Sequence, residues 1–219
     1  MVTRENFENN LQELQAKLTM MGELAVASIN KSFDAFKNHD IEIALKVIEE
    51  DSVVDNLETE INQFIVWLMA KEQPVARDLR RIIGVLKISS EIERIADFGV
   101  NIAKATIKIG TSNSQVDDAN LDQMKEISIT MMHKALQSFF EGNMVLVKEV
   151  ADLDDKVDKL YGETYKMLTS HLKENPEETE QLVQLLLINR FLERTADHIT
   201  NIAESAAYLI KGQIYDLNS

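Results

Sequence analysis

The sequence predicts an all-α protein: six long helices forming two tandem, internally duplicated three-helix bundles. Three observations predict it. Glycine and proline are scarce, 7 and 2 in 219 residues, which leaves few places for the chain to turn or break. Apolar side chains recur in alternating steps of three and four, the period of a helix with one buried face. One stretch appears twice, at residues 93–104 and 193–204, each copy keeping Glu-Arg-x-Ala-Asp-x-x-x-Asn-Ile-Ala.

The first helix is expected over about residues 5–37, with Phe7, Leu11, Leu14, Leu18, Met21 and Ala25 on one stripe. Asn38-His39-Asp40 interrupts it, and the Asp40 carboxylate can accept a hydrogen bond from a free N–H at the start of the second helix. The second helix carries Val47, Val54, Leu57, Ile61, Phe64 and Leu68 on a heptad-like seam. It ends near Lys71-Glu72-Gln73, before Pro74, whose missing donor suits a first helical position. The third runs to about Ile109 on a seam of Val85, Ile92, Ala96, Gly99 and Ala103. Gly110-Thr111-Ser112-Asn113-Ser114 reads as the linker between units 1–110 and 114–219.

The second unit repeats the pattern. A fourth helix is expected over about 117–141, where Leu136-Gln137-Ser138-Phe139 answers Phe33-Asp34-Ala35-Phe36 at a displacement of 103. Asn143 then answers Asp40, and the fifth helix shows Val150, Val157, Leu160, Thr164, Met167 and His171. Asn175-Pro176 answers Gln73-Pro74, and the sixth helix carries Leu185, Leu192, Ala196, Ile199, Ala203, Ala206 and Ile210. Duplication of a three-helix unit is the economical reading, and long helices joined by short turns pack antiparallel.

Composition removes several function classes. The chain has no cysteine, so disulfides, thiolate zinc sites and cysteine nucleophiles are excluded. A net charge of −14 would repel nucleic acid and anionic lipid alike. No apolar run approaches the roughly 18 residues of a membrane span, so the protein is expected to be cytoplasmic and not membrane-embedded. No phosphate-cradling glycine loop and no nucleophile motif is present. Di-iron carboxylate enzymes on helical bundles use Glu-x-x-His pairs. Here Phe36, Thr130, Leu168 and Thr195 stand three places before the four histidines, which argues against that enzyme. A metal-free helical scaffold is the other alternative.

The repeated motif points to cation chemistry. A helix turns about 100° per residue, so Glu93, Asp97 and Asn101, and likewise Glu193, Asp197 and Asn201, stack along one side, flanking the buried seam. Antiparallel packing about the turn near residues 73 and 74 brings Asp51 level with position 96 and Asp55 level with position 92. The same construction about residue 175 brings Asp154 level with 196 and Asp158 level with 192. Two sets of four carboxylates are thus expected on ledges beside the core: Asp51, Asp55, Glu93 and Asp97, then Asp154, Asp158, Glu193 and Asp197. Neighbouring like charges are costly to keep ionised together, and a cation is the direct remedy. All-oxygen ligands suit hard or borderline ions such as magnesium, calcium, manganese and iron. The competing reading pairs Arg94 and Arg194 with Asp97 and Asp197 and leaves the remaining acids as solvated surface. Because Phe98 occupies the place matching His198, that histidine is expected to be a surface residue rather than a ligand.

The two Glu-Arg-x-Ala-Asp-x-x-x-Asn-Ile-Ala stretches, Arg77-Asp78-Leu79-Arg80, and the acids around Val54-Asp55 and Val157-Asp158 resemble the PhoU family of phosphate-uptake regulators over the whole chain. The resemblance implies a non-enzymatic, cytoplasmic, homodimeric negative regulator. Its implied partners are the ATPase subunit of a phosphate ABC transporter and a sensor histidine kinase. Metal ions, iron, manganese or magnesium, are implied at the eight acids named above. The second unit departs from the first in lacking a full Arg-Asp-Leu-Arg counterpart, and Tyr161 stands where the first has Glu58.

Overall fold

The computed structural model describes residues 2–110, 119–212 and 217. Among them the chain is helical almost throughout: α1 (Val2–Asn38), α2 (Ile41–Glu72), α3 (Ala76–Ile109), α4 (Ala119–Glu141), α5 (Met144–Glu174) and α6 (Thr179–Lys211), with a short 3₁₀ turn at Pro176–Glu178. Helices α1, α2 and α3 pack as one bundle, and α4, α5 and α6 as another. The bundles meet through α3 against α6, with a smaller contact of α1 on α4, while α2 and α5 each touch only their own bundle among the described residues.

Local chemistry sets the ends of these helices. Asp40 is extended and its Oδ1 accepts the Ile43 N–H at 3.0 Å, starting α2 as the sequence predicts. Asn143 repeats the device at α5, accepting the Val145 N–H at 3.0 Å. Gln73 closes α2 in the left-handed region, at φ 47°. Pro74 is not the first helical residue. Extended Val75 caps α3, which begins at Ala76, leaving the proline within the turn. Pro176 does take a first-turn position, in the 3₁₀ turn. Gly110 ends α3 at φ 66°; residues 111–114 of the expected linker lie outside the described residues.

The predicted seams are buried in α1, α3 and most of α2 and α6, but in α5 only Val150, Val157 and Thr164 are, while Leu160, Met167 and His171, like Ile210 of α6, are partly buried. Val47, Val54, Leu57, Ile61 and Leu68 of α2 are in the core. Phe64 is only partly buried, stacking on Trp67, and Ile65 takes the inward place. Helix α3 has α1, α2 and α6 against it, as α6 has α3, α4 and α5. Gly99 belongs to that enclosure: a Cβ there would stand 2.4 Å from the Ser28 hydroxyl and 3.1 Å from the Ser28 backbone carbon. Its missing side chain therefore lets α1 and α3 pack closely enough to carry the motif helix in register beside α2.

Candidate functional site

Each ledge lies between the motif helix and the middle helix of its bundle, and the register read from the turns is the one found. In the first bundle the Asp51 carboxyl is raised above the usual range by burial, then by the charges of Asp55 and Asp97. Glu93 is raised by burial, then by Asp97, with Glu58 and Asp55 adding to it and Arg94 opposing. In the second bundle Glu193 is raised by burial and by Asp197 and Asp158. Asp197 is raised by burial and Asp158, against His198 and Arg194. Four acids thus share one electrostatic neighbourhood in each bundle, on adjacent antiparallel helices.

The two ledges differ in how their charge is met. On the first, the Arg94 guanidinium reaches Glu93 at 3.6 Å and Asp97 at 3.7 Å, the internal pairing that competes with cation binding. On the second, the Arg194 guanidinium lies 5.2 Å from the centroid of the Phe98 ring across the bundle interface. Among the described residues no cationic side chain forms a salt bridge with Asp154, Asp158, Glu193 or Asp197; Arg190 and Arg194 lower Glu193, and His198 and Arg194 lower Asp197, from longer range.

Asp154 departs from the expectation of a flank position. It is 5% exposed, within the buried run Val147, Val150, Asp154 and Val157, and its Oδ1 is buried without a hydrogen-bond partner. Burial, then Asp158 and Asp197, push its carboxyl up to about 7. The Thr200 hydroxyl, which also donates to the Ala196 carbonyl at 3.1 Å, opposes this rise in part. The signal was present: Asp154 is four after Val150 and three before Val157, which puts it inside the seam. Asp51 holds the matching place in the first bundle and is only half-buried.

The ledges offer oxygen donors alone, as hard cations require. Among the described residues no three or more Asp, Glu or His side chains are gathered in a way that could hold a metal ion. The acids stand as mutually repelling neighbours rather than a closed coordination shell.

A second constellation was not anticipated. His198 is not a free surface residue: its Nδ1 lies 2.6 Å from Glu91 Oε2, across the contact of α6 with α3. The Asn201 side-chain amide donates to the same oxygen at 3.1 Å. Burial alone would raise the Glu91 carboxyl, but the hydrogen bonds from His198 and Asn201 hold it below its ordinary value. Because the bundles face each other through like helices, the corresponding positions Phe98 and Phe191 also meet, stacked with ring centroids 6.1 Å apart. One half of the interface is aromatic and the other polar. Periodicity cannot reveal such a pair, since it lies between repeats rather than within one. His171, on the expected seam of the fifth helix, is partly buried, its Nε2 3.2 Å from Glu178 Oε2.

Two three-helix bundles of one design, each presenting acids from adjacent helices beside its core, define a duplicated helical protein with paired carboxylate ledges. The family model described as the PhoU domain matches the chain twice, over residues 18–106 and 121–206, and the chain belongs to that family. It is 34% identical to the phosphate-specific transport system accessory protein PhoU homolog of Clostridium acetobutylicum, over 99% of this chain and 100% of the relative. It is likewise 34% identical to the Aquifex aeolicus homolog, covering 93% of this chain and 92% of that one. The fold is similar to the crystal structure of PhoU from Pseudomonas aeruginosa, with TM-score 0.90 and 29% identity over 94% of this chain and all of that one. It is also similar to the phosphate transport system regulatory protein PhoU from Streptococcus pneumoniae, with TM-score 0.87, 28% identity and coverage of 96% and 99%. No described helix is long and apolar enough to cross a membrane.

Proposed function

We propose that the chain is a non-enzymatic accessory regulator of a phosphate-specific transport system, acting as a cytoplasmic homodimeric adaptor between the transporter ATPase subunit and a sensor histidine kinase. Membership of a family whose relatives carry the accessory-protein name supports the transport role. The observation that carries the metal part of the reading is the orphaned, buried oxygen of Asp154 amid acids that raise its pKa. Such a group, beside the carboxylates of Asp158 and Asp197 and without a cationic partner, suits a hard cation once those carboxylates close around it.

In this reading Asp154, Asp158, Glu193 and Asp197 hold cations on the second ledge, and Asp51, Asp55, Glu93 and Asp97 on the first. Magnesium, manganese or iron would supply positive charge to acids that otherwise repel one another. Binding draws in carboxylates that now stand apart, and so stiffens α5 against α6 and α2 against α3. The second ledge should bind more tightly, because Arg94 competes for the first and Arg194 is turned toward Phe98. Stiffened outer helices then present a fixed face to partner proteins.

The test is genetic and biochemical together. Deleting the gene should switch on phosphate-starvation genes in phosphate-replete cells, and the wild-type chain should restore repression. A chain carrying Asp154→Asn and Asp197→Asn should fold yet fail to restore it. Full repression by that variant would remove the cation from the mechanism, and normal repression in the deletion strain would remove the regulatory role itself.

A further inference from the structure

The polar half of the interface between the bundles opens into a groove of 680 Å³ between α3 and α6, whose lining includes none of the eight ledge acids. Its α3 wall carries Arg80 and Lys87, seven residues apart and so on one face, about 10 Å from each other along the helix. Its α6 wall carries Asn201, Ser205 and Tyr208, also on one face. The charges of the groove are unequally met. Glu91 is engaged by His198 and Asn201, and Glu204 accepts the Leu217 N–H at 2.8 Å. Among the described residues Arg80 and Lys87 have no carboxylate within ion-pair distance, and Arg80 Nε is buried with no hydrogen-bond partner. The Lys87 ammonium is 6.0 Å from the Tyr208 ring centroid.

Two unpaired cations in a concave site are unusual in a chain of net charge −14. Arginine presents a planar fork matched to phosphoryl oxygens, and lysine adds a movable point charge. The volume lies within the range of small-molecule sites, and the exposed Tyr208 ring and Ile83 offer an apolar wall beside the cations. The opposite half of the interface cannot do this, because Glu180 and Leu187 stand at the positions matching Arg80 and Lys87.

We infer that the groove between α3 and α6 is a binding site for a small phosphorylated anion, its phosphoryl group held by Arg80 and Lys87. An organic portion, where one is present, lies against Tyr208. The inference stands on the groove alone and does not require the regulatory reading.

Calorimetric titration of the full chain in EDTA tests it, with inorganic phosphate, AMP, ATP and unphosphorylated adenosine as probes. EDTA keeps cations on the carboxylate ledges from capturing the anion. At least one phosphorylated probe should bind in the micromolar to millimolar range, and adenosine should bind at least tenfold more weakly. Arg80→Gln and Lys87→Gln should each weaken binding about tenfold or more, whereas Lys46→Gln on α2 should leave it unchanged. Ser90→Trp, which keeps both cations and fills the groove, should abolish it. Equal affinity for phosphate and AMP would assign the phosphoryl group alone; tighter AMP binding would add the Tyr208 wall. No binding by any phosphorylated probe at millimolar concentration, or binding that all three charge variants reduce equally, would overturn the inference. Because these measurements use the isolated chain, a negative result leaves the regulatory reading standing.

Discussion

Replacing Asp154 by asparagine should make the cation-free protein more stable at neutral and alkaline pH, although it removes a group from the proposed site. The wild-type carboxyl moves from 3.8 to about 7 on folding. The folded protein therefore binds this proton more tightly than the unfolded chain does. The group's stabilising share is fully present below its unfolded pKa and is lost as pH rises through the folded one. A rise of about three units at about 1.4 kcal/mol each makes the whole loss about 4 kcal/mol, of which about 3 kcal/mol falls between about pH 5 and pH 8. The side chain is 5% exposed, so solvent does little to screen the effect. Asp154→Asn cannot lose that proton. Urea unfolding in EDTA across this pH range should show the variant gaining on the wild type by about 3 kcal/mol. Comparing the gap between two pH values cancels the fixed cost of burying an amide. A gap that stays flat with pH would refute the reasoning, for Asp154 would then not be a frustrated buried acid.

Other expectations follow from packing, capping and the interface between bundles. Gly99→Ala places a Cβ against the Ser28 hydroxyl and backbone; forcing α1 from α3 should cost about 1–3 kcal/mol, measured by urea unfolding. Asp40→Ala and Asn143→Ala each remove a side-chain acceptor from a helix start. Each should cost about 1 kcal/mol, with nearly equal losses if the repeats are equivalent there. His198→Phe replaces the partner of Glu91 with the residue found at position 98 and should destabilise the interface by about 1–3 kcal/mol. A neutral result in chemical denaturation would mean that the hydrogen bond at 2.6 Å contributes nothing net.

The sequence made the helices and their pairing legible because both follow from local signals. Alternating apolar steps marked the seams, Asp40 and Asn143 marked helix starts, and simple counting about residues 74 and 175 placed Asp55 beside Glu93 and Asp158 beside Glu193. What stayed hidden depends on depth and on contacts between repeats. Counting about the turn at residue 175 set Asp154 level with position 196, on a ledge beside the core. Its nearer neighbours Val150 and Val157 place it inside, and the structure buries it. His198 read as surface because its counterpart is Phe98; the two instead occupy matching positions on a shared interface, one polar and one aromatic. Arg80 entered the sequence reading only as part of Arg77-Asp78-Leu79-Arg80, and the groove between the bundles gives its charge a setting.

The measurement that bears most directly on the central claim is the cation content of the purified, dialysed chain, determined by elemental analysis for the wild type and for the Asp97→Ala, Asp197→Ala double variant. The wild type should retain manganese, iron or magnesium, and the double variant should lose it while keeping its helical content. Equal metal content in the two proteins would contradict the assignment of the ledges as cation sites.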